Sequence, residues 1–255
     1  MDIRSYLERI GYDRPVLTDV ESLFALHRTH LLTVPFENLD IHSGIPIQLN
    51  EQALWDKIIV RKRGGFCYEL NGMFAWLLGQ VGFEVAYLNG RVYNHEEKRG
   101  REFDHLTLLV RIPNEGTKWL ADVGFGDSFF EPLSLDYSGE QAQGSRAYRL
   151  ETVDDGIDLL RHDHDGGWNR QYFFDLQARS YPADYEDSCQ YHQTSSKSSF
   201  THERVISLAM PDGRISLDSN NLTITTNGKR VKHQLNGDAE FKELLLRYFG
   251  IELNI

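Results

Sequence analysis

The spacing of hydrophobic and polar positions changes along the chain, and each change marks a change of structure. Ile3, Tyr6, Leu7 and Ile10 recur at helical spacing, and Gly11 stops the pattern. Thr18-Asp19-Val20-Glu21 reads as a capping box ahead of Leu23, Phe24, Leu26 and Leu31 on one apolar face. Pro35 breaks that run and opens an irregular stretch through Leu39. A third helix is predicted from just after Asn50 to near Val60. A fourth starts close to Cys67, carries Leu70, Phe74, Leu77 and Leu78, and ends near Gly82.

From Val85 the period shortens to that of strands. Val85–Tyr93, His105–Ile112 and Lys118–Val123 are predicted strands, the last two joined by a turn at Pro113-Asn114-Glu115-Gly116. Tyr148–Val153, Gly156–Arg161 and Gln171–Leu176 continue the series. The polar segment Thr194–Ser199 reads as a linker or surface loop. Short strands then follow around Val205, Ile215, Leu222 and Val231, with turns at Asp212-Gly213 and Asn227-Gly228. A last helix is predicted over Ala239–Tyr248. Helices, then strands, then mixed elements argue for an α+β chain in three regions.

Composition narrows the function. The 255 residues are 40% hydrophobic, as in folded proteins, and carry a formal net charge of −11. With Arg61-Lys62-Arg63 as the longest basic run, a nucleic-acid surface is disfavoured. No stretch approaches the roughly 20 apolar residues of a membrane span, and the N-terminus has no secretion-signal pattern. Two cysteines, Cys67 and Cys189, make no disulfide framework, so a reducing, cytoplasmic setting is expected and the Asn221-Leu222-Thr223 sequon should be inert. His162-Asp163-His164-Asp165 reads as a solvated hairpin loop rather than a metal site, and no metal motif stands elsewhere.

The chemistry gathers around Arg63-Gly64-Gly65-Phe66-Cys67-Tyr68-Glu69-Leu70-Asn71. Two glycines turn the chain into a helix, placing Cys67 at its N-terminus, where free N–H groups and the helix dipole favour a thiolate. The same N–H groups could steady a developing oxyanion. A nucleophilic cysteine needs a base, and the base an orienting group. A hairpin at 113–116 would bring His105 at the start of one strand near Asp122 at the end of the next. Glu69 and Asn71 are expected to support the fold around the site, and Cys189 to be structural. Gly124 and Gly126, flanking Phe125, could let backbone approach a phosphate or pantetheine chain.

These residues carry a family resemblance. Arg63–Asn71 resembles the R-G-G-x-C-x-E-x-N motif of the arylamine N-acetyltransferases, and Val34-Pro35-Phe36-Glu37-Asn38-Leu39 their P-F-E-N-L element. His105-Leu106-Thr107-Leu108 and Asp122-Val123-Gly124-Phe125-Gly126 are similar to the segments supplying the family's His and Asp. The likeness covers about residues 34–126 and thins beyond about 130. It implies a helical bundle bearing the cysteine (1–83), a β-barrel bearing His and Asp (84–190), and a C-terminal α/β lid (191–255). It further implies a ping-pong transfer of acetyl from acetyl-CoA, through acetyl-Cys67, to the nitrogen of arylamines or hydrazines or the oxygen of arylhydroxylamines. That is an activity of xenobiotic metabolism, without metal. By the same likeness Gly124, Phe125 and Gly126 line the acyl-donor cleft, Phe125 and Phe36 face the aryl acceptor, and Phe200 sits near the pantetheine. Two rivals share parts of this pattern: a papain- or transglutaminase-like thiol hydrolase or amide synthase, and a non-catalytic ligand-binding protein. Oligomeric state has no signature in the sequence.

Overall fold

The computed structural model describes residues 1–162 and 166–253, so Asp163, His164 and Asp165 of the hairpin reading lie outside the described residues. The N-terminal part is helical: α1 (Ile3–Ile10), α2 (Val20–Thr33), α3 (Leu39–His42), α4 (Glu51–Trp55) and α5 (Cys67–Val81). Asp19, not Thr18, caps α2, accepting the Ser22 N–H at 2.8 Å. Thr18 instead donates its hydroxyl to the Val81 carbonyl at the end of α5 (2.9 Å), so no Thr18–Glu21 capping box forms. The helix expected over 51–60 is real but changes winding, with α4 passing into a π-helical turn at Asp56–Val60. That turn carries Lys57 into the interior.

Eight strands follow in one antiparallel sheet: β2 (Glu84–Val92), β3 (His105–Arg111), β4 (Lys118–Ala121), β5 (Leu133–Ser134), β6 (Gln141–Gln143), β7 (Arg146–Val153), β8 (Gly156–His162) and β9 (Trp168–Phe174). Their order is β5-β4-β3-β2-β9-β8-β7-β6, which curls the sheet into a nearly closed barrel. Two glutamine amides bridge its seam as a strand's own peptides would. Gln141 accepts the Ser134 N–H (2.8 Å) and donates to the Ser134 carbonyl (3.0 Å). Gln143 does the same with Glu131, at 3.0 and 2.7 Å. One core of the barrel holds Leu88, Leu109, Leu120, Phe129, Tyr172 and Phe174.

The second sheet joins the two ends of the sequence. β10 (Val205–Met210), β11 (Gly213–Asp218), β12 (Asn221–Thr226) and β13 (Lys229–Gln234) form a meander, and β1 (Phe36–Glu37) adds to its β10 edge. The irregular stretch expected around Phe36 is therefore a short strand, followed by α3. The expected turn at Asn227-Gly228 forms with both residues at positive φ, 49° and 77°, as a tight two-residue hairpin requires. The other turn lies one residue earlier than expected, at Pro211-Asp212, because Met210 already pairs with Gly213. α7 (Asp238–Phe249) packs Phe241, Leu244 and Leu245 on this sheet. A further helix, α6 (Glu186–Thr194), runs where the sequence suggested the end of the barrel region, so a boundary between 190 and 191 would cut it. Among the described residues no helix is long and apolar enough to cross a membrane.

Candidate active site

α5 opens at Cys67. Its N-cap, Phe66, has no side-chain acceptor, so Glu69 reaches back and accepts the Phe66 N–H at 3.1 Å, one half of a capping box. Five buried charged groups surround that contact. Lys57 Nζ lies 2.8 Å from Glu69 Oε1 and 2.8 Å from Asp40 Oδ2; Arg63 Nη2 lies 2.8 Å from Glu37 Oε1 and 2.9 Å from Asp40 Oδ1. Burial alone would lower Lys57, but Glu37, Glu69 and Asp40 outweigh it and keep the ammonium charged. For Glu69 burial prevails over Lys57 and moves the carboxyl up to about 7.

β3 and β4 bring in the next two groups. Leu108 pairs with Ala121, so the strand register sets Asp122 diagonally from His105 instead of directly across. They meet all the same, His105 Nε2 lying 2.7 Å from Asp122 Oδ2. Asp122 is fully buried and receives four hydrogen bonds. Asn71 Nδ2 and the Gly124 N–H donate to Oδ1 (2.9 Å each); His105 and the Tyr172 hydroxyl (2.9 Å) donate to Oδ2. Burial pushes this carboxyl up, and the His105 ring with the Asn71 and Gly124 donors reverses that and holds it below the ordinary carboxylate value. Asn71, one turn along α5 from Cys67, also donates to the Leu106 carbonyl (2.6 Å) and accepts the Val123 N–H (2.9 Å). The helix that opens at Cys67 and both strand ends are thus one hydrogen-bonded unit.

Cys67 is only 4% exposed. Burial pushes its thiol up, and a backbone hydrogen bond from Leu106 opposes this without reversing it; nearby Asp122 and Asp104 add to the rise. Burial thus opposes the thiolate that the N-terminus of α5 favours. Cys189 is buried in the middle of α6 and accepts from Gln193 Nε2 at 3.2 Å.

The loop after Asp122 folds over the cysteine. A Cβ on Gly124 would stand 2.7 Å from Cys67 Cα, so close packing on α5 accounts for that glycine. Gly126 has φ of 82°, and a Cβ there would touch the Phe36 ring at 3.5 Å. Phe125 meets the rings of His105 (5.1 Å between centroids) and Tyr172 (5.0 Å). On the other side Phe200 lies 6.1 Å from Phe36 and 6.0 Å from Phe66. Close packing and ring contacts thus join Cys67 to Gly124, His105 to Asp122 and Phe125, and Phe36 to Phe200. Sequence reasoning missed Tyr172, His27 and Lys57, which read as ordinary strand and helix positions. No group of three or more potential metal ligands occurs among the described residues.

The comparisons agree along the whole chain. A family model described as N-acetyltransferase matches residues 19–255. Human arylamine N-acetyltransferase 1 is 31% identical, over 99% of this chain and 95% of its own length. The Escherichia coli arylamine N-acetyltransferase is 32% identical, over 98% and 88%. Among solved structures, the Mycobacterium smegmatis arylamine N-acetyltransferase superimposes with a TM-score of 0.92 at 32% identity, covering 99% of this chain and 93% of that one. The Mycobacterium marinum enzyme, solved in complex with CoA, gives 0.91 at 31% identity, over 98% and 93%. A fold, a motif series and relatives that coincide from end to end place this chain in the arylamine N-acetyltransferase family.

Proposed function

We propose that this protein transfers acetyl from acetyl-CoA to an arylamine or arylhydrazine through an acetyl-Cys67 intermediate. The observation that carries the reading is the buried chain of contacts from α5 through Asn71 to Asp122 and from Asp122 to His105. His105 donates its Nε2–H as a hydrogen bond to the Asp122 carboxylate, which leaves Nδ1 as the ring nitrogen able to take the thiol proton. Cys67 Sγ then attacks the thioester carbonyl, the carbon–sulfur bond to CoA breaks, and the imidazolium gives its proton to the departing CoA sulfur, which restores neutral His105. The amine attacks acetyl-Cys67 in the second half-reaction, its proton passes to His105, and the sulfur recovers it. Asp122, held ionised by its four donors, keeps the ring oriented and stabilises the imidazolium.

The second sheet supports a path for CoA. Paired positions put Phe36, Ser207, Ser216, Thr223 and Lys232 in one row across β1, β10, β11, β12 and β13. At ~4.8 Å per strand the row spans about 19 Å, from the aromatic wall beside Cys67 to the basic edge. Hydroxyls along the row suit the pantetheine amides, and Lys232 with Arg230 suits the phosphates. Ser207 already donates to the Gly126 carbonyl (3.3 Å), which ties this sheet to the site. In this reading residues 1–83 form the helical region of the site, the barrel strands that follow form the second, and the chain from α6 onward supplies the lid over it.

Intact-mass analysis with acetyl-CoA and no acceptor tests this, beside Cys67→Ala. One acetyl adduct on the wild type alone, discharged by an arylamine or hydrazine, is expected. A folded wild type that takes no adduct would refute it and favour a hydrolase or a binding protein.

A further inference from the structure

We infer that His27 is a positioning residue that ties both ends of the Asp122–Phe130 loop to α2 through one neutral imidazole. This rests on the acetyl-transfer reading of the site. The ring is fully buried, with Nε2 3.0 Å from the Asp122 backbone N and Nδ1 2.9 Å from the Phe130 carbonyl. A backbone N–H can only donate, so Nε2 must carry the lone pair. A carbonyl can only accept, so Nδ1 must carry the proton. The two contacts therefore select one neutral tautomer. Burial favours the same form, since it lowers the ring's pKa to about 4. The ring plane is fixed as well, stacked on Phe129 at 5.5 Å with 4° between planes and edge-on to Phe74 at 5.8 Å.

The segment between the two contacts has no helix or strand of its own. It contains Gly124 against Cys67, Phe125 against His105, and Gly126 against Phe36. One end of the clamp sets the main chain that aims the Asp122 carboxylate at His105. The other end sets where the loop returns, and so the aromatic wall built from Phe125. His27 touches neither substrate nor the reacting atoms; it acts through Asp122 and the loop.

Two substitutions separate the ends. His27→Asn keeps a donor near the Nδ1 position for Phe130 but has no acceptor that reaches Asp122. His27→Gln places an acceptor near the Nε2 position for Asp122 and gives up the Phe130 end. Single-turnover acetylation of Cys67 by acetyl-CoA, read by intact mass, and the acceptor KM in steady state form a split that general loosening would not produce. His27→Asn should slow acetylation by about 10- to 100-fold, the loss expected when a catalytic group is misplaced by about 1 Å. It should move KM little. His27→Gln should show the reverse order, the larger effect falling on the acceptor KM. If both variants keep a cooperative melt and impair the two half-reactions in the same proportion, or impair neither, the positioning role is overturned. A folded wild type that forms no acetyl-Cys67 would instead overturn the site reading on which this rests.

Discussion

Replacing Lys57 by Met tests the buried charge cluster beneath the Cys67 helix. Methionine retains the apolar length of the side chain and removes the cation. In the wild type that cation lies 2.8 Å from Glu69, 2.8 Å from Asp40 and 3.9 Å from Glu37. Arg63 continues to pair with Glu37 and Asp40, but Glu69 keeps only the Phe66 N–H. Removing one partner of a buried ion pair costs about 3–5 kcal/mol, because the remaining charge is left without compensation. In a chain of this size each kcal/mol moves the melting temperature by about 2–4 °C, so the variant should melt roughly 6–20 °C lower.

The deficit should depend on pH, and its sign follows from Glu69. Burial, with help from Glu37 and Asp40, already raises this carboxyl to about 7 against the attraction of Lys57. Without Lys57 it rises further. A carboxyl whose folded pKa lies above its unfolded value takes up its proton in the folded state first, so the variant regains stability as pH falls toward the ordinary 4.5. The loss in Lys57→Met should therefore be largest near pH 8.5 and shrink by pH 5.5. Melting curves by circular dichroism across that range measure it. A loss of less than about 2 °C at pH 8.5, or one equal at every pH, would refute the argument that Lys57 compensates Glu69.

Three other outcomes follow from contacts at the site. Tyr172→Phe removes one of the four donors to Asp122, a charge-assisted bond worth about 1.5–3 kcal/mol, and should slow Cys67 acetylation by roughly 10- to 100-fold and lower the melting temperature by about 3–12 °C. An unchanged acetylation rate would show that three donors suffice. Gly124→Ala places a methyl 2.7 Å from Cys67 Cα and must displace loop or helix; loss of acetylation is expected in protein that still melts cooperatively, and full acetylation would refute the close-packing account. The His27 contribution to stability should fall on acidification. His27 is held near 4 when folded and returns to 6.5 when unfolded, so the unfolded chain binds the extra proton between those values. That contribution is complete above 6.5 and is lost as pH falls toward 4. Urea unfolding at pH 7, 5.5 and 4.5 should show the wild type losing stability relative to His27→Gln as pH falls, and a difference constant with pH would count against a buried neutral ring.

What the sequence disclosed divides according to how far apart the interacting residues lie. α5 was legible because a double glycine and an apolar helical stripe are both local signals, and β3 and β4 because a period of two and a short turn are local as well. α6 was not. Glu186–Thr194 is polar at most positions and buries Ser188, Cys189 and His192, so it offers no apolar stripe, and the expected regions divide it between barrel and lid. The barrel seam had no strand signal either, since glutamine side chains bridge it where a ladder would have run. Lys57 was silent for a different reason: the π-helical turn that carries it inward alters the helical register from which its burial would be read. Asp122 shows the same division at one residue. Two of its partners, Gly124 and His105, lie 2 and 17 residues away and fall within the motif and hairpin that revealed the site. Asn71, Tyr172 and His27 lie 51, 50 and 95 residues away. The reacting groups are thus set by local pattern, whereas the contacts that fix their protonation and aim come from three distant elements. Substitutions at those three positions are the ones that should separate orientation from chemistry.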